Sequence, residues 1–289
     1  MKLKVAAGLQ AVLPTGPYQN MKPNFQAEIE IDIPGIIEVN DVVKKYQEEL
    51  YGVCQQLVRQ VESAAIVERI NRERQDMHWI DDGLGNLMPS VTSVIDFDSD
   101  MFCSPEDLQQ YASQSCIVHK QVEVFIATKE WKKPKEIADC WADIVVLTKG
   151  KLQLSIESGN FLAFLEKFPI TNMQNSFKSK NLEHRYGGTP DFRGVPVGWN
   201  KIKGLEHVKD VPTLFDVKRT KDVPKNGKQL SAYKRMEYYQ DIEQICVVEI
   251  NDKTQQGFSK PEVFTPEQDE GFFKMFLRDR DGFKKRFGV

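Results

Sequence analysis

Long apolar runs are missing from the 289 residues. No window approaches the roughly 18 uninterrupted apolar residues of a membrane span, so no membrane association is expected. Cysteine is scarce and unpatterned. Cys54, Cys103, Cys116, Cys140 and Cys246 are scattered and never form Cys-x-x-Cys. That argues against a disulfide framework or a zinc ribbon and for free thiols in a reducing compartment. Lys2 and Lys4 precede a short apolar run from Val5 to Leu13, but Gln10 and Pro14 interrupt it and no small-residue cleavage site follows. The run reads as a strand of a cytoplasmic protein. There is no Gly-x-x-x-x-Gly-Lys-Ser/Thr loop, no third glycine after Gly83-Leu84-Gly85, no His-Glu-x-x-His pair and no Gly-x-Ser-x-Gly elbow. Phosphate-loop motors, dinucleotide sites, zincins and α/β-hydrolases are thereby set aside. No repeat recurs at a 20–50-residue period.

Charge of one sign is also in short supply, the formal net charge being -3, which does not suit a passive nucleic-acid coat. The average hides an asymmetry. Residues 1–169 carry 17 Lys+Arg against 25 Asp+Glu, and residues 170–289 carry 22 against 17. A polyanion is therefore sought in the second part of the chain.

Two β-like runs, Lys2–Leu13 and Phe25–Ile33, flank a Gly16-Pro17 turn signal and end at Pro34-Gly35. From Val39 to about Asn71 the apolar residues recur at helical spacing, with Asn40 or Asp41 as cap. Residues 1–75 thus read as a hairpin and long-helix module whose expected role is packing or contact with a protein partner. Residues 76–289 read as a second domain. It opens with a Gly83/Gly85 turn and a β-branched run from Met88 to Ile95. Helices are expected over Pro105–Thr128, Pro134–Leu147 and Leu152–Phe168, and strands over Leu182–Val195, Thr213–Thr220 and Ile245–Asn251. Further helices are expected over Gln229–Asp241 and Pro266–Phe287. The fold class is α/β, a small mixed central sheet flanked by helices.

Within Thr213–Thr220, strand alternation puts Asp216 and Lys218 on one face. Glu130-Trp131-Lys132 has the same spacing without the same neighbours and reads as solvated surface. Asp216-Val217-Lys218 follows Gly187-Gly188-Thr189-Pro190-Asp191 and precedes Gln229-Leu230-Ser231-Ala232-Tyr233. Phosphodiester hydrolysis calls for a hard divalent cation on carboxylate oxygens, here Asp191 and Asp216. Lys218 on the same face would orient or deprotonate the attacking water and offset developing charge. Gly187 and Gly188 would let the backbone turn and approach closely, or mark an ordinary hairpin turn.

In this order the motifs resemble the PD-(D/E)xK nucleases, and within them the RecB-type exonuclease branch with phage and mitochondrial genome maintenance members. Pro190-Asp191 and Asp216-Val217-Lys218 look like the namesake elements, and Gln229-x-x-x-Tyr233 like the branch's helix. His119 resembles its metal-ligating histidine, Glu183 its additional acid, and Met88-Pro89-Ser90-Val91-Thr92 its Pro-Ser-Val-Thr segment. The resemblance spans about Met77–Phe287. It implies a restriction-endonuclease-like core, with His119, Asp191, Asp216 and the backbone of Val217 binding Mg²⁺ or Mn²⁺. Catalysis would fall to Asp191, Asp216, Lys218 and Glu183. Gln229, Tyr233, Ser90, Thr92, Arg219 and Lys228 would contact substrate. Some members carry a four-cysteine iron–sulfur cluster, but only Cys246 lies beyond the Gln-x-x-x-Tyr helix here, so none is expected.

The implied activity is metal-dependent exonuclease action on DNA single strands or ends, in replication, recombination or repair. It would take place in the cytoplasm, or in a host cytoplasm for a phage-encoded chain. The alternatives are an endonuclease of the same fold and a non-catalytic nucleic-acid-binding or assembly protein built on it. Residues 218–235 hold seven cations against Asp222, a basic segment suited to backbone phosphates. Tyr233, Tyr238 and Tyr239 are nearby for stacking on bases, with packing the expected role of Tyr238 and Tyr239.

Overall fold

The computed structural model describes residues 2–10, 13–16, 19–21, 24–32, 39–74, 77–99, 105–133, 135–137, 160–250 and 255–289. Most of the helix expected over 134–147, the first part of that over 152–168, the Pro34-Gly35 signal, Cys103 and Cys140 lie outside them. The chain divides into two compact units, Met1–Pro89 with Lys285–Val289, and Ser90–Lys284. The sequence boundary near residue 75 lies within the first.

In the first unit, β1 (Lys2–Gln10) pairs antiparallel with β4 (Asn24–Asp32), and short strands β2 (Leu13–Gly16) and β3 (Gln19–Met21) form a second pair. Helix α1 (Val39–Glu73) lies on the β1–β4 ribbon, where buried Cys54 places its Sγ 3.6 Å from the Ala7 carbonyl oxygen. Strands β5 (Trp79–Asp81) and β6 (Leu87–Pro89) form a hairpin whose turn places Gly83 and Gly85 at φ 88° and 83°. Only glycine takes that conformation without strain. The Asp81 and Asp82 carboxylates accept from the Gly83 and Leu84 N–H groups at 2.5 and 2.8 Å.

The second unit is mixed α/β. Its elements are α2 (Val91–Ile95), α3 (Pro105–Thr128), α4 (Asn160–Lys167), β7 (Ile170–Asn175), β8 (Ser179–Asn181), β9 (Tyr186–Gly188), β10 (Phe192–Pro196), β11 (Thr213–Lys218), α5 (Val223–Lys234), β12 (Gln244–Glu249), β13 (Glu262–Val263) and α6 (Pro266–Phe287), whose end passes into the first unit. Five strands form one sheet in the order β13-β12-β11-β10-β7. Only β11 and β12 pair in parallel, and α5 supplies the crossover that a parallel pair requires.

Alternation along the central strands decides what each sheet face carries. Phe192, Phe215, Val217, Cys246 and Val248 join Val118, Val122 and Ile126 of α3 and Phe161 and Phe164 of α4 in one core. The opposite parity of β11 carries Leu214, Asp216 and Lys218, and α5 packs against β11 and β12. Asp216 is therefore buried because its strand is central, with 2% of the residue exposed.

Three element boundaries depart from expectation. Leu182–Val195 is not one strand: a turn over 182–185, with Arg185 at φ 54°, separates β8 from β9, and residues 189–191 separate β9 from β10. The Met88–Ile95 run becomes helical after Pro89, because the Ser90 hydroxyl accepts the Ser93 N–H at 3.1 Å and starts α2. Helix α5 begins earlier than Gln229, capped by Asp222 with Pro224 in its first turn. It ends at Lys234, before a 3-10 turn over Glu237–Tyr239. Among the described residues no helix is long and apolar enough to cross a membrane.

Candidate active site

Strand β10 begins at Phe192, opposite Phe215, so β11 runs past the ladder and the Val217 N–H opens onto the vacated edge. The Asp191 side chain fills that position, with Oδ2 accepting the Val217 N–H at 2.6 Å. A residue in an extended strand directs its N–H and C=O to the same edge, which brings the Val217 carbonyl to the Asp191 side while its isopropyl group stays in the core. Asp191 Oδ1 lies 2.8 Å from Nδ1 of His119, on the α3 face that meets the sheet. Asn175 holds this helix in place through its Nδ2, which donates to the Glu123 carbonyl, one turn beyond His119, at 2.9 Å. Sequence reasoning did not select Asn175. A lone asparagine at a strand end carries no signal of a contact 52 residues away.

On the other strand face, Lys218 Nζ lies 2.8 Å from Asp216 Oδ2, an oxygen that is buried and has no aligned hydrogen bond. The four groups act on one another electrically. Burial alone would raise the Asp191 carboxyl, but His119, Lys218 and the Val217 N–H outweigh it and hold it below its ordinary value. Burial alone would lower the His119 imidazolium, and the Asp191 carboxylate overrides it and raises it. Burial, with Asp191 adding to it against Lys218, lifts Asp216 to about 6. Burial would discharge Lys218, yet Asp216 and Asp191 hold it as an ammonium and push it above its ordinary value. As an ammonium, Lys218 can offset charge and orient a water.

Gln229 and Tyr233 do share a face of α5, with Gln229 Nε2 donating to the Tyr233 hydroxyl at 3.1 Å, but both are buried. Tyr233 stands among the acids, its hydroxyl pushed up by burial and then by Asp216. Buried in this way, the pair presents little surface to a strand, and Tyr233 is the member that lies within electrostatic reach of Asp216 and Lys218. Gly187 and Gly188 lie within β9 rather than in a turn. A Cβ on Gly188 would stand 2.5 Å from Cε1 of Tyr233, so the glycine makes room for that ring.

The remaining expected residues make other contacts. Glu183 sits in the β8–β9 turn with its side chain 83% exposed, nearest His184 at 3.9 Å, and is not brought to Asp191 or Asp216. Its pattern position was legible, whereas the turn that swings it outward was not. Ser90 is buried and spends its hydroxyl on capping α2, and half-buried Thr92 has its Oγ1 3.0 Å from that hydroxyl. Lys228 pairs with Asp279 of α6 at 2.5 Å, and Arg219 follows the end of β11, half-buried. The basic segment is largely neutralised from within. Lys221, Lys225, Lys234 and Arg235 have carboxylate partners in Glu262, Asp96, Asp269 and Asp269 with Glu270. Glu130 and Lys132 form a surface ion pair, as their context suggested.

Among the described residues no three His, Cys, Asp or Glu side chains already converge as a metal cage. The donor chemistry nevertheless fits a hard cation with one imidazole ligand. Asp191 and Asp216 flank Val217, His119 touches Asp191, and Asp216 Oδ2 is a buried oxygen lacking an aligned donor. No protein-family model and no curated protein matches the chain.

Proposed function

We propose that this chain is a metal-dependent nuclease with a restriction-endonuclease-like core, hydrolysing DNA phosphodiesters from ends or single strands. The observation that carries the reading is the clustering of two carboxylates, an imidazole and an ammonium around the end of the central strand β11. Asp191 is held there by the Val217 N–H and His119, and Asp216 by Lys218. Burying such charges is costly and is seldom maintained for stability alone. His119, Asp191, Asp216 and the Val217 carbonyl would hold Mg²⁺ or Mn²⁺, which supplies charge for the phosphate oxygens and a more acidic water. Lys218 orients the nucleophile and offsets charge developing on the phosphoryl group. Tyr233, bonded by Gln229, stands on α5 within electrostatic reach of Asp216 and Lys218. DNA as the polymer, and ends as the point of attack, rest on the family resemblance.

The test uses end-labelled linear strands, blunt duplexes and closed circles, each incubated with Mg²⁺, Mn²⁺ or EDTA. The proposal expects stepwise loss of label from linear DNA with circles spared and with no reaction in EDTA. Cutting of circles would assign an endonuclease on the same fold. Salt-dependent binding without cleavage would assign the non-catalytic alternative. A second outcome checks the placement of Tyr233. Gly188→Ala displaces the Tyr233 ring and is expected to lower turnover by about tenfold to a hundredfold, the range for a misplacement near 1 Å. KM and the far-ultraviolet spectrum should change little.

A further inference from the structure

Aromatic side chains in the second unit are mostly buried, but two neighbouring ones are not. Phe177 is 57% exposed and Tyr238 52% exposed, with ring centroids 5.3 Å apart at 70°. A single exposed aromatic needs no explanation. This pair is held in position by its backbone. The hydroxyl of buried Tyr239 accepts the Phe177 N–H at 2.9 Å and donates to the Phe177 carbonyl at 2.6 Å, while the Tyr238 N–H donates to the buried Ser179 hydroxyl at 3.1 Å. Tyr239 also lies edge-on to Tyr238 at 5.4 Å. Tyr238 therefore stands against a buried ring, and Phe177, anchored by its backbone to that ring's hydroxyl, meets Tyr238 at 70° to make an exposed aromatic corner. A flat π-system can enter such a corner.

Its location gives the occupant. Phe177 follows Ser176, whose N–H points to the Asp191 carbonyl at 3.4 Å, so the corner begins one residue from the backbone of a proposed metal-binding acid. Exposed Lys178 is the next residue in the chain and adds positive charge at the rim. A strand whose phosphate sits at Asp191 would have its neighbouring bases within reach of these rings. Stacking accepts any base, as an enzyme that consumes strands of arbitrary sequence requires. We infer that Phe177 and Tyr238 form a stacking platform for the unpaired bases of a single-stranded DNA end threaded past Asp191. The inference deepens the nuclease reading and rests on it for the identity of the strand.

Fluorescence anisotropy in EDTA, where no turnover occurs, separates base contacts from phosphate contacts. The probes are an oligothymidylate and an abasic oligonucleotide of the same length. The wild type should bind the first about tenfold or more tightly than the second, the span expected for one or two stacked bases. Phe177→Ala/Tyr238→Ala should erase that difference and leave the abasic Kd unchanged, and Phe177→Trp/Tyr238→Trp should restore it. Both positions are exposed, so the variants keep their fold, which circular dichroism checks. Equal wild-type affinity for the two probes overturns the platform, as does equal weakening of both by the alanine pair, or no DNA binding at all, which would leave the corner to a protein partner. Hydrolysis in Mn²⁺ keeps the two proposals apart. Cleavage without base discrimination defeats the platform alone, and base discrimination without cleavage under either cation defeats the nuclease reading and upholds the platform.

Discussion

Asp216→Asn should lower DNA hydrolysis by about a thousandfold or more, because it removes a charged oxygen from the metal site and the counter-charge that fixes Lys218. The substitution keeps the shape of a buried residue on a central strand, so the loss should lie in the chemical step, with Kd for DNA in EDTA changed far less. Two effects on stability oppose each other. The folded-state pKa of Asp216 is raised from 3.8 to about 6, chiefly by burial. The stabilisation tied to its neutral form is thus fully present below 3.8, lost as the pH rises through about 6, and absent at neutral pH. The uncharged amide relieves that burden, whereas the Lys218 ammonium loses its nearest partner. The urea midpoint at neutral pH should therefore move little. A variant that unfolds, or one that retains a tenth of the wild-type rate, would contradict this role.

The second large effect concerns the basic segment. Asp269 of α6 is 4% exposed and receives Lys234 at 3.0 Å and Arg235 at 2.8 Å, fastening the end of α5 to α6. Asp269→Ala leaves two cations partly buried without that partner. It should cost about 2–4 kcal/mol, which is the price of breaking a buried pair discounted for the partial exposure of both cations. Burial alone would raise the Asp269 carboxyl, but Arg235, Ser231 and Lys234 outweigh it and hold it below 3.8. Its contribution is present above that value and lost as the pH falls through the lowered pKa, so variant and wild type should converge in acid. DNA affinity measured well below the melting temperature should be unchanged. A large loss of affinity with unchanged stability would return Lys234 and Arg235 to the substrate surface.

These outcomes follow the line between what the sequence could and could not carry. Alternation along β11 put Asp216 and Lys218 together because strand period is a local property. The placement of Asp191 beside His119 needed the motif order, since nothing local links residues 72 positions apart. The charge run at 218–235 reads as a phosphate surface in the sequence, whereas its carboxylate partners, Asp269, Asp279, Asp96 and Glu262, arrive from remote elements that no local pattern announces. Glu183 fits the motif order, but the turn over 182–185 leaves its side chain exposed. Ser90 is the opposite case. A serine after proline and before an apolar run is a readable helix cap, and the β-branched residues that follow concealed it. Tyr238 was expected to pack, yet of two adjacent tyrosines only Tyr239 is buried. Neighbours in a 3-10 turn point about 120° apart, and composition does not say which one will face inward.

The most direct measurement of the central claim is release of labelled nucleotide from a linear single strand by metal-stripped protein, with Mn²⁺ added, then chelated by EDTA, then restored in excess. The account predicts no release before the cation, release with it, arrest on chelation and recovery on restoration. Release that proceeds unchanged through chelation, or no release at any cation concentration despite bound DNA, would contradict it.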